Sequence, residues 1–101
     1  MTLDDYQQAA ARTVNPSLRP DDRLLDATCG LAEEAGEILA HVRKLRFQQR
    51  PLDREAVLLE LGDALWCLSM IATSLGFTLD KVAETNIRKL ALRHPDGFGT
   101  G

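Results

Sequence analysis

The chain has 101 residues, 45% of them hydrophobic and 27% charged, and carries a net charge of -3. This is one domain with enough apolar material for a core, and its balance excludes an intrinsically disordered segment. The slight acidity gives no reason to expect nucleic acid or an anionic membrane as a partner.

Thr2 followed three residues later by Asp5 resembles a capping box, and Tyr6 to Val14 is rich in helix formers. A first helix is therefore expected to end near Asn15-Pro16. The two prolines and the serine between Asn15 and Pro20 make a linker. Asp21 and Asp22 suit the start of a second helix, where negative charge meets the dipole, and His41, Arg43, Lys44 and Arg46 suit its end. Asp53 is the expected N-cap of a third helix running to about Ser74, the most apolar stretch of the chain. That helix is apolar on more than one face, and four helices of one small chain do not cover it. A homo-oligomer is expected to supply the rest. Gly76 ends it, Thr78 caps a fourth helix to about Arg93, and Val82, Ile87, Leu90 and Ala91 are expected to face inward. The architecture expected is all-α: an antiparallel bundle of about four helices in a single domain over 1–98, with a short tail at 99–101.

No basic region leading into an apolar run opens the chain, and no 18-residue apolar stretch is read in it, so a cytoplasmic protein without membrane contact is expected. Cys29 and Cys67 have no metal-ligand spacing and are expected to be buried free thiols.

Two acidic pairs carry the chemistry. Glu34 and Glu37, and again Glu60 and Asp63, stand three residues apart, which puts each pair on one helix face. Both lie in apolar helices, and Gly36 and Gly62 inside the pairs are expected to let the second and third helices approach, antiparallel. Four carboxylates in a low-dielectric space need a positive charge among them. The set is made of hard oxygen ligands, which suits Mg²⁺, with Mn²⁺ as a substitute, and points to phosphate chemistry. Glu33, about 100° around the helix from Glu34, is placed to act as a general base or to meet a second ion. Trp66, one turn after Asp63, and Gln7 on the first helix are candidates to border a base. His41 and His94 have no partner spacing, and no role is read for them.

Glu33-Glu34-Ala35-Gly36-Glu37, followed after 22 intervening residues by Glu60-Leu61-Gly62-Asp63, resembles the Glu-Glu-x-x-Glu and Glu-x-x-Asp signature of the all-α nucleoside triphosphate pyrophosphohydrolases. The likeness is closest to the single-domain MazG-like branch and runs from about Asp4 to Phe98. It implies Mg²⁺-dependent hydrolysis of a (d)NTP to the monophosphate and pyrophosphate, as nucleotide-pool house-cleaning. It further implies that Glu34, Glu37, Glu60 and Asp63 hold the metal and that Glu33 serves the attacking water. Asn86, Lys89 and Arg93 would then contact phosphates. The compact tetramer of that branch is favoured over a dimer, with sites completed across subunits. Phosphoribosyl-ATP hydrolysis and a non-enzymatic acidic-groove module that binds metal or a partner are the alternatives.

Overall fold

The computed structural model describes residues 1–99; Thr100 and Gly101, two of the three residues of the expected tail, lie outside them. Four helices and no strand occur among the described residues: α1 (Leu3–Ala11), α2 (Pro20–Phe47), α3 (Arg54–Ser74) and α4 (Leu79–Arg93). Local chemistry accounts for the ends. Thr2 Oγ1 accepts from the Asp5 amide at 3.0 Å and Asp5 Oδ2 from the Thr2 amide at 3.2 Å, so both sides of the capping box are made. α1 stops a turn earlier than expected. The amides of Arg12, Thr13 and Val14 reach back only three residues, and the Thr13 hydroxyl takes the Ala10 carbonyl at 2.7 Å.

α2 starts on Pro20, whose fixed φ and missing N–H suit the first helical position. Asp53 and Thr78 cap α3 and α4 through their side chains, as expected. α3 ends in a Schellman motif: Gly76 adopts φ 78°, and the Phe77 amide reaches the Ala72 carbonyl at 2.8 Å.

α2 and α3 form the main packed pair and run antiparallel, Gly30 lying against Cys67 and Glu37 against Glu60. The close approach is at Gly30, where a Cβ would stand 2.9 Å from Cys67 Sγ. Gly36 and Gly62, expected to fill that role, have open space where a Cβ would stand. α1 closes the other side of α3, and Ala10, Ala27 and Met70 bring α1, α2 and α3 to a small common core.

α4 stands apart. It leans on α1 and α3, and no Cα of α4 comes within 8 Å of one on α2. Val82, Ile87 and Leu90, expected inward, are 47%, 64% and 41% exposed. The radius of gyration is 16.5 Å, against about 13 Å for a compact chain of this length.

Contrary to the sequence reading, α3 is apolar and long enough to cross a membrane by length and composition alone. Of its three carboxylates, Glu60 and Asp63 lie toward Glu34 of α2, and Glu55 stands in the first turn. Leu58, Leu61, Leu65, Leu68, Ala72 and Leu75 line another side at alternating three- and four-residue steps, the spacing of a helix-pairing seam. Leu58, Leu61, Leu68 and Leu75 on that side are largely exposed.

Candidate metal centre

The antiparallel register of α2 and α3 gathers the two acidic pairs. Glu37 shares a hydrogen bond with Glu60, which together with the charge of Glu34 raises its pKa above the usual carboxylate range. Burial raises that of Glu34, followed by the charges of Asp63, Glu60 and Glu33. Each shift has the sign expected when carboxylates meet without a cation to balance them. Among the described residues no Lys or Arg forms an ion pair with any of the five.

Two oxygens, Glu34 Oε2 and Glu60 Oε2, are buried without a hydrogen-bond partner. A buried carboxylate oxygen without a donor is costly, and a cation would relieve it. The donor set is all oxygen, hard and anionic, and fits a divalent ion of the Mg²⁺ type. Among the described residues no group of three or more His, Cys, Asp or Glu side chains is already gathered to hold a metal. Glu34 and Glu60 are half-buried and Glu37 and Asp63 are exposed, so the low-dielectric setting expected for all four does not extend to Glu37 and Asp63.

Two neighbours escaped the sequence reading. His41 Nε2 lies 3.4 Å from Glu60 Oε2. The signal was present: His41 follows Glu37 by one helical turn and so shares its face. Tyr6 reaches the cluster from α1, its pKa raised by burial and then by the charges of Asp63 and Cys67. Cys67 is buried as expected, and burial raises its thiol pKa, followed by the charges of Glu34, Asp26 and Asp63. Cys29 is exposed, because it falls on the side of α2 turned from α3.

Glu33 is exposed beside the cluster, and its charge is felt at Glu34, Glu37 and Cys67. Trp66 lines a cavity of about 390 Å³ with Val14, Leu18, Met70 and Asp26, and its indole N–H donates to Thr13 Oγ1 at 2.7 Å. Gln7 is committed to the fold at both ends of its amide. Its Nε2 donates to Thr73 Oγ1 at 2.9 Å and to the Phe77 carbonyl at 3.0 Å, and its Oε1 accepts from the Leu79 amide at 2.8 Å.

Asn86 and Lys89 border a shallow hollow on α4 with Phe77, Lys81, Val82 and Thr85, and Arg93 lies exposed in the last turn. Within one chain α4 contacts α3, which carries Glu60 and Asp63, and has no Cα within 8 Å of α2, which carries Glu34 and Glu37.

The MazG nucleotide pyrophosphohydrolase domain matches the chain over residues 25–98, which includes both acidic pairs and all of α3 and α4. The Gene 37 protein of Mycobacterium phage L5 is 33% identical over 109 aligned positions, which cover 100% of this chain and 96% of the phage protein. No solved structure matches.

Proposed function

From the premise that the chain belongs to the MazG nucleotide pyrophosphohydrolase domain family, we propose that it hydrolyses a nucleoside triphosphate to the monophosphate and pyrophosphate with Mg²⁺. One observation carries the reading: carboxylates from facing helices crowd together, Glu34 Oε2 and Glu60 Oε2 are buried without a hydrogen bond, and among the described residues no Lys or Arg pairs with the set, His41 alone standing 3.4 Å from Glu60. Such an arrangement is unfavourable for a free protein and suited to a cation that brings phosphates with it.

Glu34, Glu37, Glu60 and Asp63 would hold the ion. When bound, the ion supplies positive charge to the polyphosphate and makes a nearby water more acidic. The protein's own groups do the rest. Glu33, exposed at the edge of the cluster, orients the attacking water and takes its proton. His41, 3.4 Å from Glu60 Oε2, holds the Glu60 carboxylate in place. Asn86, Lys89 and Arg93 meet the phosphates and offset the charge that grows on the leaving pyrophosphate.

That no Cα of α4 comes within 8 Å of α2 supports a site in which those three come from another copy of the chain. The exposed leucines along α3 and the extended shape support such an assembly, and a tetramer is favoured over a dimer. A cytoplasmic role in clearing surplus or non-standard nucleotides completes the proposal.

The test is release of pyrophosphate from the common NTPs and dNTPs, dUTP and an oxidised dGTP, with and without Mg²⁺. Metal-dependent release of one pyrophosphate per monophosphate is expected. A folded, oligomeric sample that releases none from any of them would overturn the reading in favour of a binding module.

A further inference from the structure

We propose that the cavity walled by Trp66 is a nucleobase subsite in which Asp26 selects bases that present an exocyclic amino group. The inference rests on the nucleotide reading above and adds to it a substrate class. At about 390 Å³ the cavity falls within the roughly 300–1,000 Å³ of small-molecule sites. Its floor is apolar, formed by Val14, Leu18 and Met70. Its wall is the chain's single tryptophan, held by a hydrogen bond to Thr13 Oγ1 that is itself anchored on the Ala10 carbonyl. The ring is thus oriented before any ligand arrives, and a fixed aromatic face is a stacking surface for a base of any kind.

Stacking does not discriminate between bases, so selection falls to the polar rim. Arg23 is engaged there with backbone, its Nε donating to the Leu18 carbonyl at 3.0 Å and its Nη2 to that of Pro16 at 3.4 Å. Asn15 turns its Oδ1 to the Ser17 amide at 3.0 Å. Thr73 Oγ1 accepts from Gln7, Ser74 adds a neutral hydroxyl, and Asp26 is the rim's charged acceptor.

Its position is also right. Asp26 lies a little over two helical turns before Glu34 on α2, about 12 Å along the axis at ~1.5 Å per residue. That is the reach of a nucleoside whose phosphates rest on the cluster. The charges of Asp26, Glu34 and Asp63 all bear on Cys67, so cavity and cluster adjoin.

An ionised carboxylate only accepts hydrogen bonds. It therefore favours the amino groups of cytosine, adenine and guanine, and it repels the 4-oxo oxygen of uracil and thymine.

The experiment uses the intact chain without metal and follows the fluorescence of Trp66 on titration with CMP, AMP, GMP, UMP and TMP, in wild type and in Asp26→Asn. Omitting metal keeps the readout independent of turnover. The amino-bearing nucleotides should bind about tenfold more tightly than UMP and TMP. The asparagine amide, which can donate, should level or reverse that order, and the kcat/KM ratio of dCTP to dUTP should move the same way. An unchanged order in Asp26→Asn overturns the role of Asp26. No quenching by any nucleotide, in a protein that still releases pyrophosphate, overturns the cavity as the base subsite while the activity stands. Absence of both overturns the activity and the inference with it.

Discussion

The α2–α3 pair and α4 are built on opposite principles. α2 and α3 are long, run antiparallel with a glycine at their closest approach, and carry all the acidic groups of the site. α4 is shorter, is exposed along nearly its whole length, touches α1 and α3 only, and carries Asn86, Lys89 and Arg93, the groups proposed to meet phosphates. One glutamine on α1 ties its start to the end of α3. The anionic half of the site is thus fixed by the fold, while the cationic half is left to be placed. Among the described residues no Lys or Arg pairs with these carboxylates, and under the proposed function metal, substrate and a second copy would supply the balance.

The sharpest break in that comparison removes a carboxylate from the fixed half. Glu37→Gln and Asp63→Asn should each lower turnover by at least about 100-fold, since even groups that merely support metal ligands are worth 10- to 100-fold. Helicity by circular dichroism should persist. Thermal stability without metal should not fall, because each change relieves crowded negative charge, whereas the rise in Tm that Mg²⁺ gives the wild type should shrink. Retained activity in both variants would sink the metal assignment.

The next break is at the hinge of the two halves. Gln7→Leu removes two donated bonds and leaves the Leu79 amide without its acceptor, which should cost about 1–3 kcal/mol. The loss should be local. Hydrogen exchange should quicken along α4 and at the end of α3 and stay unchanged at the centre of α2.

A third change tests the contact within the fixed half. Gly30→Ala puts a Cβ against Cys67 Sγ and should cost about 1–3 kcal/mol in urea unfolding. Gly30→Ala with Cys67→Ala should recover most of the loss, as coupled neighbours do. Gly36→Ala, with open space around it, should instead gain up to about 1 kcal/mol.

How much of this was legible in the sequence follows from how local each determinant is. Thr2 with Asp5, Asp53 and Thr78 could be read as caps because a cap bonds within one turn of itself. The two acidic pairs could be read because a three-residue step fixes a helix face whatever packs on it. The register between α2 and α3 was not legible. Hence Gly36 and Gly62 drew attention that belonged to Gly30, and His41 was passed over although one turn from Glu37. The outward side of α2 at Cys29 and the detachment of α4 are tertiary outcomes. Val82, Ile87 and Leu90 have the pattern of an inward face, yet α4 has no contact with α2 to bury it. The meeting of the two acidic pairs on antiparallel helices was expected from their spacing and apolar setting, and the MazG signature added the family.

The smallest effect bears on how α4 is docked. Asp4 near the start of α1 has its pKa raised by burial and then by the charge and hydrogen bond of Asp80 near the start of α4. A carboxyl whose pKa is raised on folding binds its proton more tightly in the folded chain. Its stabilising contribution is complete below the pKa of the unfolded chain and is lost as pH rises through the raised folded value. At neutral pH the two carboxylates therefore oppose the contact between α1 and α4. Asp4→Asn should raise Tm slightly at pH 7, and the gap from wild type should close as pH falls into the carboxylate range. Asp5→Asn is the control with the opposite sign, since Asp5 closes the α1 capping box and its loss should lower Tm at pH 7. A gap between wild type and Asp4→Asn that does not vary with pH would mean that repulsion across the α1–α4 contact is absent. The looseness of α4 would then rest on its scarcity of apolar contacts alone.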